Sequence, residues 1–215
     1  MKYQLLVFDW DGTLYDSSEL IVKCVQKAAV AIGLSIPQAE TIKQFIGLSV
    51  DEALSHGFPG LTPMKKANLI KAYREFLVTE AEIPTLFTGV KETLVKLKEQ
   101  GYLLTIATSK DSNYLKKDLE ILDLKNTFFM TQSADQAASK PNPAMLYNIL
   151  YQTGMVVEQT LMIGDTEYDM QMAANAQIDG LGVSYGAHDT KRLQLPNVKH
   201  IINNITELPV WLATT

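Results

Sequence analysis

The sequence predicts an α/β fold, a doubly wound parallel sheet with a Rossmann-like core and an inserted all-helical cap. Three observations predict it. From about residue 84 onward, short apolar runs rich in β-branched and aromatic residues alternate with helical stretches, the pattern of buried parallel strands joined by crossover helices. A further strand-like run, QLLVF at 4–8, stands near the start of the chain. Between it and the alternating region, residues 17–83 show helical periodicity and no strand.

Taken in order, QLLVF is the first central strand. The stretches SELIVKCVQKAAVAIG, AETIKQFI and MKKANLIKAYREFLVTEAEI are the helices of the insertion. VKETLVKLKEQG carries Val90, Leu94 and Leu97 on one helical face and stops at Gly101, as helices often do. LLTIAT is the next strand, and NYLKKDLEILDL repeats the amphipathic arrangement with Leu115, Leu119 and Leu122. FFMT follows as a strand, and PNPAMLYNILYQTG opens with proline and ends with glycine like a helix. LMIG and GLGV complete five predicted strands, with a new helix after Asp165. Residues 1–16 and 84–215 form the α/β core, 17–83 the cap, and two linkers near 15–18 and 81–88 join them.

Composition bounds the function. The 215 residues, 47% of them apolar, suffice for one good core and a small second one. A formal net charge of −5 excludes a general binder of nucleic acid polymers, which needs a basic stripe. Cys24 is the only cysteine, so no intramolecular disulfide forms and its role is packing. The opening run meets Asp9 too early for a signal h-region, and no apolar run reaches the roughly 18 residues of a membrane span. These features predict a cytoplasmic protein without a membrane partner.

The chemistry lies at the strand ends, where ligands of doubly wound folds bind. In DWDGT, Asp9 and Asp11 are two apart on an extended chain and share a face, with Trp10 pointing away. Two carboxylates about 4 Å apart repel by roughly 4 kcal/mol at an effective dielectric of 20. A magnesium ion relieves that repulsion and gives the pair a purpose. A solvated turn is the plain alternative for DWDG alone. Further along, Thr108 and Ser109 close LLTIATS with hydroxyls suited to phosphate oxygens. Lys140 precedes a proline-led helix, a compact cation for phosphate or carboxylate charge. Asp165 and Asp169 follow LMIG, and the i, i+4 spacing on a new helix predicts that both face one region.

DWDGT, the Thr of ATSK, the Lys of SKPNP and the acids of GDTEYD resemble, in order, the four motifs of the haloacid dehalogenase-like hydrolase superfamily. The insertion resembles the helical cap of its phosphoglycolate phosphatase and β-phosphoglucomutase-like branch. The resemblance implies that Asp9 attacks phosphorus and that Asp11 serves as general acid and base. It implies a Mg²⁺ ion on Asp9, Asp165 and the backbone carbonyl of Asp11, with Asp169 as ligand or support, and phosphate held by Thr108, Ser109 and Lys140. The expected substrate is a small phosphorylated metabolite, phosphoglycolate first, and the expected state a monomer or homodimer. Asp11 argues against a dehalogenase. Val50 stands near where phosphoglucomutases of this fold carry an arginine, which places phosphatase above phosphosugar mutase. A receiver-like signalling module and an inactive phosphate-binding protein are the alternatives of another class. His56, His188 and His200 read as surface or packing residues, Met162, Met170 and Met172 as core, and Lys110 as a solvated lysine. Gly47, Leu48 and Ser49 read equally as a substrate border and as a turn between cap helices.

Overall fold

A computed structural model describes residues 2–80 and 83–215. Its sheet has six strands in the order β3-β2-β1-β4-β5-β6, all parallel to their neighbours. They are β1 (Leu5–Phe8), β2 (Leu103–Thr108), β3 (Met130–Ser133), β4 (Thr160–Gly164), β5 (Asp179–Val183) and β6 (Val198–Ile202). The chain winds outward from β1 through β2 to β3, then returns to β4 on the other side. That reversal makes the carboxyl end of β1 the topological switch point.

Alternation along β1 builds two cores. Leu6 and Phe8 join the cluster that holds Val90, Leu94 and Leu97 of α5 (Val90–Glu99) and Leu115 and Leu119 of α6 (Ser112–Ile121). Leu5 and Val7 face Met145, Leu146 and Ile149 of α7 (Ala144–Thr153) and Met172 and Ala173 of α8 (Glu167–Asn175). Period two therefore puts one helical layer on each face. Short α9 (Thr190–Leu193) precedes β6, and α10 (Leu208–Leu212) closes the first cluster.

Two strands depart from expectation. The run FFMT predicts a strand two residues early, because Phe128 is buried in the core ahead of the strand while β3 itself reads MTQS. As an edge strand, β3 needs no continuous apolar run. The sixth strand, VKHII, was not expected. Its Lys199 and His200 are exposed at the opposite edge, which hides the alternation.

The insertion holds α1 (Ser18–Ala31), α2 (Ala39–Lys43), α3 (Val50–Gly57) and α4 (Pro63–Glu80). They bury a cluster of their own around Val22, Cys24, Ala28, Ile42, Leu54 and Leu69. The helix α3 was not expected, though SVDE announced it: Ser49 accepts from Glu52 N–H and the Glu52 carboxylate accepts from Ser49 N–H, a capping box. The chain leaves and re-enters the α/β part side by side, since Asp16 N–H donates to Thr85 O at 2.9 Å and Phe87 N–H to Leu14 O at 3.1 Å. Of the predicted second linker, residues 81 and 82 lie outside the described residues. No helix among the described residues is long and apolar enough to cross a membrane.

One backbone carbonyl docks the insertion on the core. Gln44 O accepts from Tyr168 OH at 3.1 Å, from Arg192 Nη2 at 3.3 Å and from His188 Nε2 at 3.1 Å. The His188 ring is neutral with hydrogen on Nε2, because its Nδ1 accepts from Glu167 N–H at 3.1 Å. Burial, with Arg192 beside it, lowers its pKa from 6.5 to about 4.

Between those two values the folded chain binds fewer protons here than the unfolded chain does, so the His188 contribution is complete above pH 6.5 and lost as pH falls toward 4. It amounts to at most about 3 kcal/mol. Urea unfolding at pH 7 and pH 4.5 should show a larger loss for the wild type than for His188→Gln. Equal losses would mean that His188 is not held neutral.

Candidate active site

Strand register collects the predicted residues. Phe8 pairs with Ile106 on one side and Ile163 on the other, so Asp9 leaves β1 beside Ala107 and Gly164, with Thr108 and Asp165 one residue further along the two flanking strands. Asp9 is buried, and its Oδ1 accepts from Trp10 N–H at 2.7 Å and lies 2.6 Å from Lys140 Nζ. The same ammonium lies 2.7 Å from Asp169 Oδ1. Both Lys140 and Asp169 are 0% exposed. Oxygens of Asp9, Asp165 and Asp169 lie within 4.8 Å of one another.

Local geometry explains the Gly-Thr that follows the aspartates. Gly12 has φ +85°, and a Cβ there would run into the Asp165 carboxylate, so the turn needs glycine twice over. Thr13 Oγ1 then donates to Asp165 Oδ1 at 2.8 Å, and Ala187 N–H to Oδ2 at 2.8 Å. Asp169 reaches the site by another route than the helical i, i+4 spacing predicted. Asp165 precedes α8, Thr166 is the N-cap, and Asp169 is the third residue of its capping box. Its Oδ2 accepts from Thr166 N–H and Oγ1, at 3.0 and 2.6 Å, and Oδ1 is left for Lys140.

Electrostatics follow from burying three acids beside one cation. Burial works against the Lys140 ammonium, but Asp169 and Asp9 outweigh it and hold its pKa above the ordinary value. The Asp9 pKa is raised well above the usual carboxylate range by burial, against the pull of Lys140. Asp165 is pushed up to about 7, first by burial and then by Asp169. The trio offers hard oxygen donors crowded at a charge cost, a donor set that fits a magnesium ion.

Asp11 stands apart from that trio. Its carboxylate lies 3.2 Å from Lys110 Nζ, which also pairs with Asp118 at 3.3 Å and sits over the Tyr15 ring at 5.1 Å. Lys110 is therefore not the solvated lysine expected, since its side chain is only 16% exposed. Trp10, turned into the core, donates from Nε1 to Asp118 Oδ2 at 3.1 Å. Asp118 escaped the sequence reading, although an acid three residues after Leu115 in an apolar helical stripe was the available signal. Thr108 is buried and its Oγ1 accepts from Lys110 N–H at 3.2 Å. Ser109 donates to Gly47 O at 2.6 Å, tying the strand end to the insertion. His56 stacks on Phe45, and His200 stacks on Trp211.

Comparison with known proteins places this arrangement. A family model described as haloacid dehalogenase-like hydrolase matches residues 6–183. A probable phosphatase IndB of Dickeya dadantii is 31% identical over 211 residues, covering 95% of this chain and 91% of its own. A phosphoglycolate phosphatase of Vibrio cholerae is 30% identical over 192 residues, 85% of each chain. The crystal structure of a putative haloacid dehalogenase-like hydrolase from Bacteroides fragilis superposes with a TM-score of 0.91 at 25% identity, covering 96% of this chain and all of that one.

Removing Lys140 leaves the buried carboxylates with no compensating charge. Lys140→Met should lower the unfolding free energy in chelator by about 3–5 kcal/mol, read by urea titration. A loss below about 1 kcal/mol, the scale of a surface pair, would mean that the ammonium does not balance the trio.

Proposed function

The chain belongs to the haloacid dehalogenase-like hydrolases, and on that premise we propose that it is a magnesium-dependent phosphatase that hydrolyses a small phosphomonoester through an aspartyl-phosphate. The observation that carries the reading is the separation of the two aspartates of DWDGT. Asp9 sits among buried acids and Lys140, while Asp11 is held off them by Lys110. That separation supports a division of labour in which Asp9 attacks and Asp11 handles protons.

Lys140 and Trp10 N–H engage Asp9 Oδ1, and Oδ2 attacks phosphorus as the bond to the leaving oxygen breaks. Asp11 gives its proton to the departing alcohol. Water then attacks the aspartyl-phosphate, Asp11 takes the water's proton, and phosphate leaves with Asp9 restored. Thr108 and Ser109, at the end of β2, border the phosphate. A magnesium ion on Asp9, Asp165 and the Asp11 carbonyl, with Asp169 in support, supplies the positive charge that lets a carboxylate approach a phosphate dianion. Val50 lines the same cavity as an apolar residue, which supports a phosphatase over a mutase that must grip a second phosphate. The relatives' names make phosphoglycolate the first ester to assay, and a cytoplasmic enzyme is part of the same reading.

Asp9→Asn should fold yet lose turnover, and rapid quench with labelled substrate should trap phosphate on the wild-type protein only. Asp11→Asn should lose roughly 10²–10⁴ in rate, the worth of general acid–base catalysis. Full activity in Asp9→Asn would refute the mechanism, and a wild-type rate in Asp11→Asn would remove Asp11 from it.

A further inference from the structure

The phosphatase reading leaves the alcohol half of the ester open, and the cavity beside the carboxylates narrows it. A space of about 290 Å³ is lined at one end by Asp9, Asp11 and Thr108 and extends into the insertion. Its far wall is apolar, formed by Leu20, Val25, Ile42, Phe45, Leu54 and Phe58. Such a volume, near the lower end for ligand pockets, suits on the order of ten non-hydrogen atoms. That count includes the phosphate, so the lining and not the volume discriminates among esters.

The charges lining this space disfavour an anionic leaving group. Of the acids that border it, Asp11 and Asp118 share Lys110, Asp51 pairs with Lys66 and Asp135 accepts from Ser112, and the only cations among the described lining residues are Lys110 and Arg74. Lys110 is committed to Asp11 and Asp118, and Arg74 is exposed on α4. A glycolate carboxylate would thus enter a largely apolar space with no uncommitted buried cation among the described residues, the costliest way to bury a charge. The polar group that does await a partner is neutral. Ser17 is buried, lines the cavity, and its Oγ makes no hydrogen bond among the described residues.

We propose that this chain hydrolyses monophosphate esters of uncharged, largely apolar alcohols in preference to phosphoglycolate, with the wall from Leu20 to Phe58 as the determinant. The proposal rests on the phosphatase reading. Apolar burial then raises specificity with each methylene that the wall covers.

The test compares kcat/KM for ethyl, n-hexyl and benzyl phosphate and for phosphoglycolate, by phosphate release with magnesium present. Unactivated alcohols keep the comparison on the wall and away from leaving-group reactivity. The n-hexyl ester should exceed the ethyl ester by on the order of 10², and the n-hexyl and benzyl esters should exceed phosphoglycolate at least tenfold. Val50→Lys, which installs a cation on the lining, should narrow the hexyl-to-phosphoglycolate ratio at least tenfold. Should that variant fail to fold, the wild-type series decides alone. A flat alkyl series with phosphoglycolate the best substrate overturns the proposal and leaves the phosphatase reading intact. Loss of that phosphoglycolate activity in Arg74→Ala would show Arg74 holding the carboxylate and likewise overturn the proposal. Absence of turnover on every ester refutes the phosphatase reading, and the proposal falls with it.

Discussion

A single buried ammonium bridging two carboxylates is the constraint around which the rest is arranged. Lys140 touches Asp9 and Asp169 with no solvent access, and Asp165 stands within reach of both acids. Three carboxylates against one ammonium leave the pocket short of positive charge. Buried ion pairs seldom repay their desolvation as stability, so stability alone does not account for this one. The pressure shows in Asp165, whose pKa rises to about 7 through burial and Asp169.

The supporting shell consists of short local devices. A glycine turn brings Thr13 onto Asp165, a capping box aims Asp169, and the Ala187 amide fixes the second Asp165 oxygen. On the other side of DWDGT, Trp10 anchors Asp118, Asp118 anchors Lys110, and Lys110 holds Asp11. The tryptophan between the two aspartates therefore has a structural reason beyond filling the core. The insertion docks onto this assembly through backbone carbonyls, Gln44 O on three core side chains and Gly47 O on Ser109. The Gln44 side chain takes no part in its contact, whereas Gly47, at φ +101° with Thr166 where a Cβ would stand, must stay glycine.

Much of this was legible in the sequence, because parallel strands buried on both faces read as apolar runs and the site residues follow them directly. DWDGT, ATSK, SKPNP and GDTEYD each mark a strand end or a helix entrance. What stayed hidden was set by tertiary placement. β6 carries exposed Lys199 and His200 at a sheet edge, so its composition does not announce a strand. Lys110 looks solvated until α6 delivers Asp118 beside it. Asp165 and Asp169 are neighbours as the spacing predicted, but a capping box and not i, i+4 placement on one helix brings them together. Ser49 and Glu52 spelled the start of α3, a signal that periodicity alone passes over.

The central claim is that the buried acids are a divalent-cation site. Melting temperature measured from chelator to millimolar magnesium, for the wild type and Asp165→Ala, tests it most directly. The wild type should gain about 2.7 kcal/mol when free metal is a hundredfold above its dissociation constant, and the variant should need far more metal for the same shift. A wild-type melting temperature that ignores magnesium, with full activity in chelator, would contradict the account.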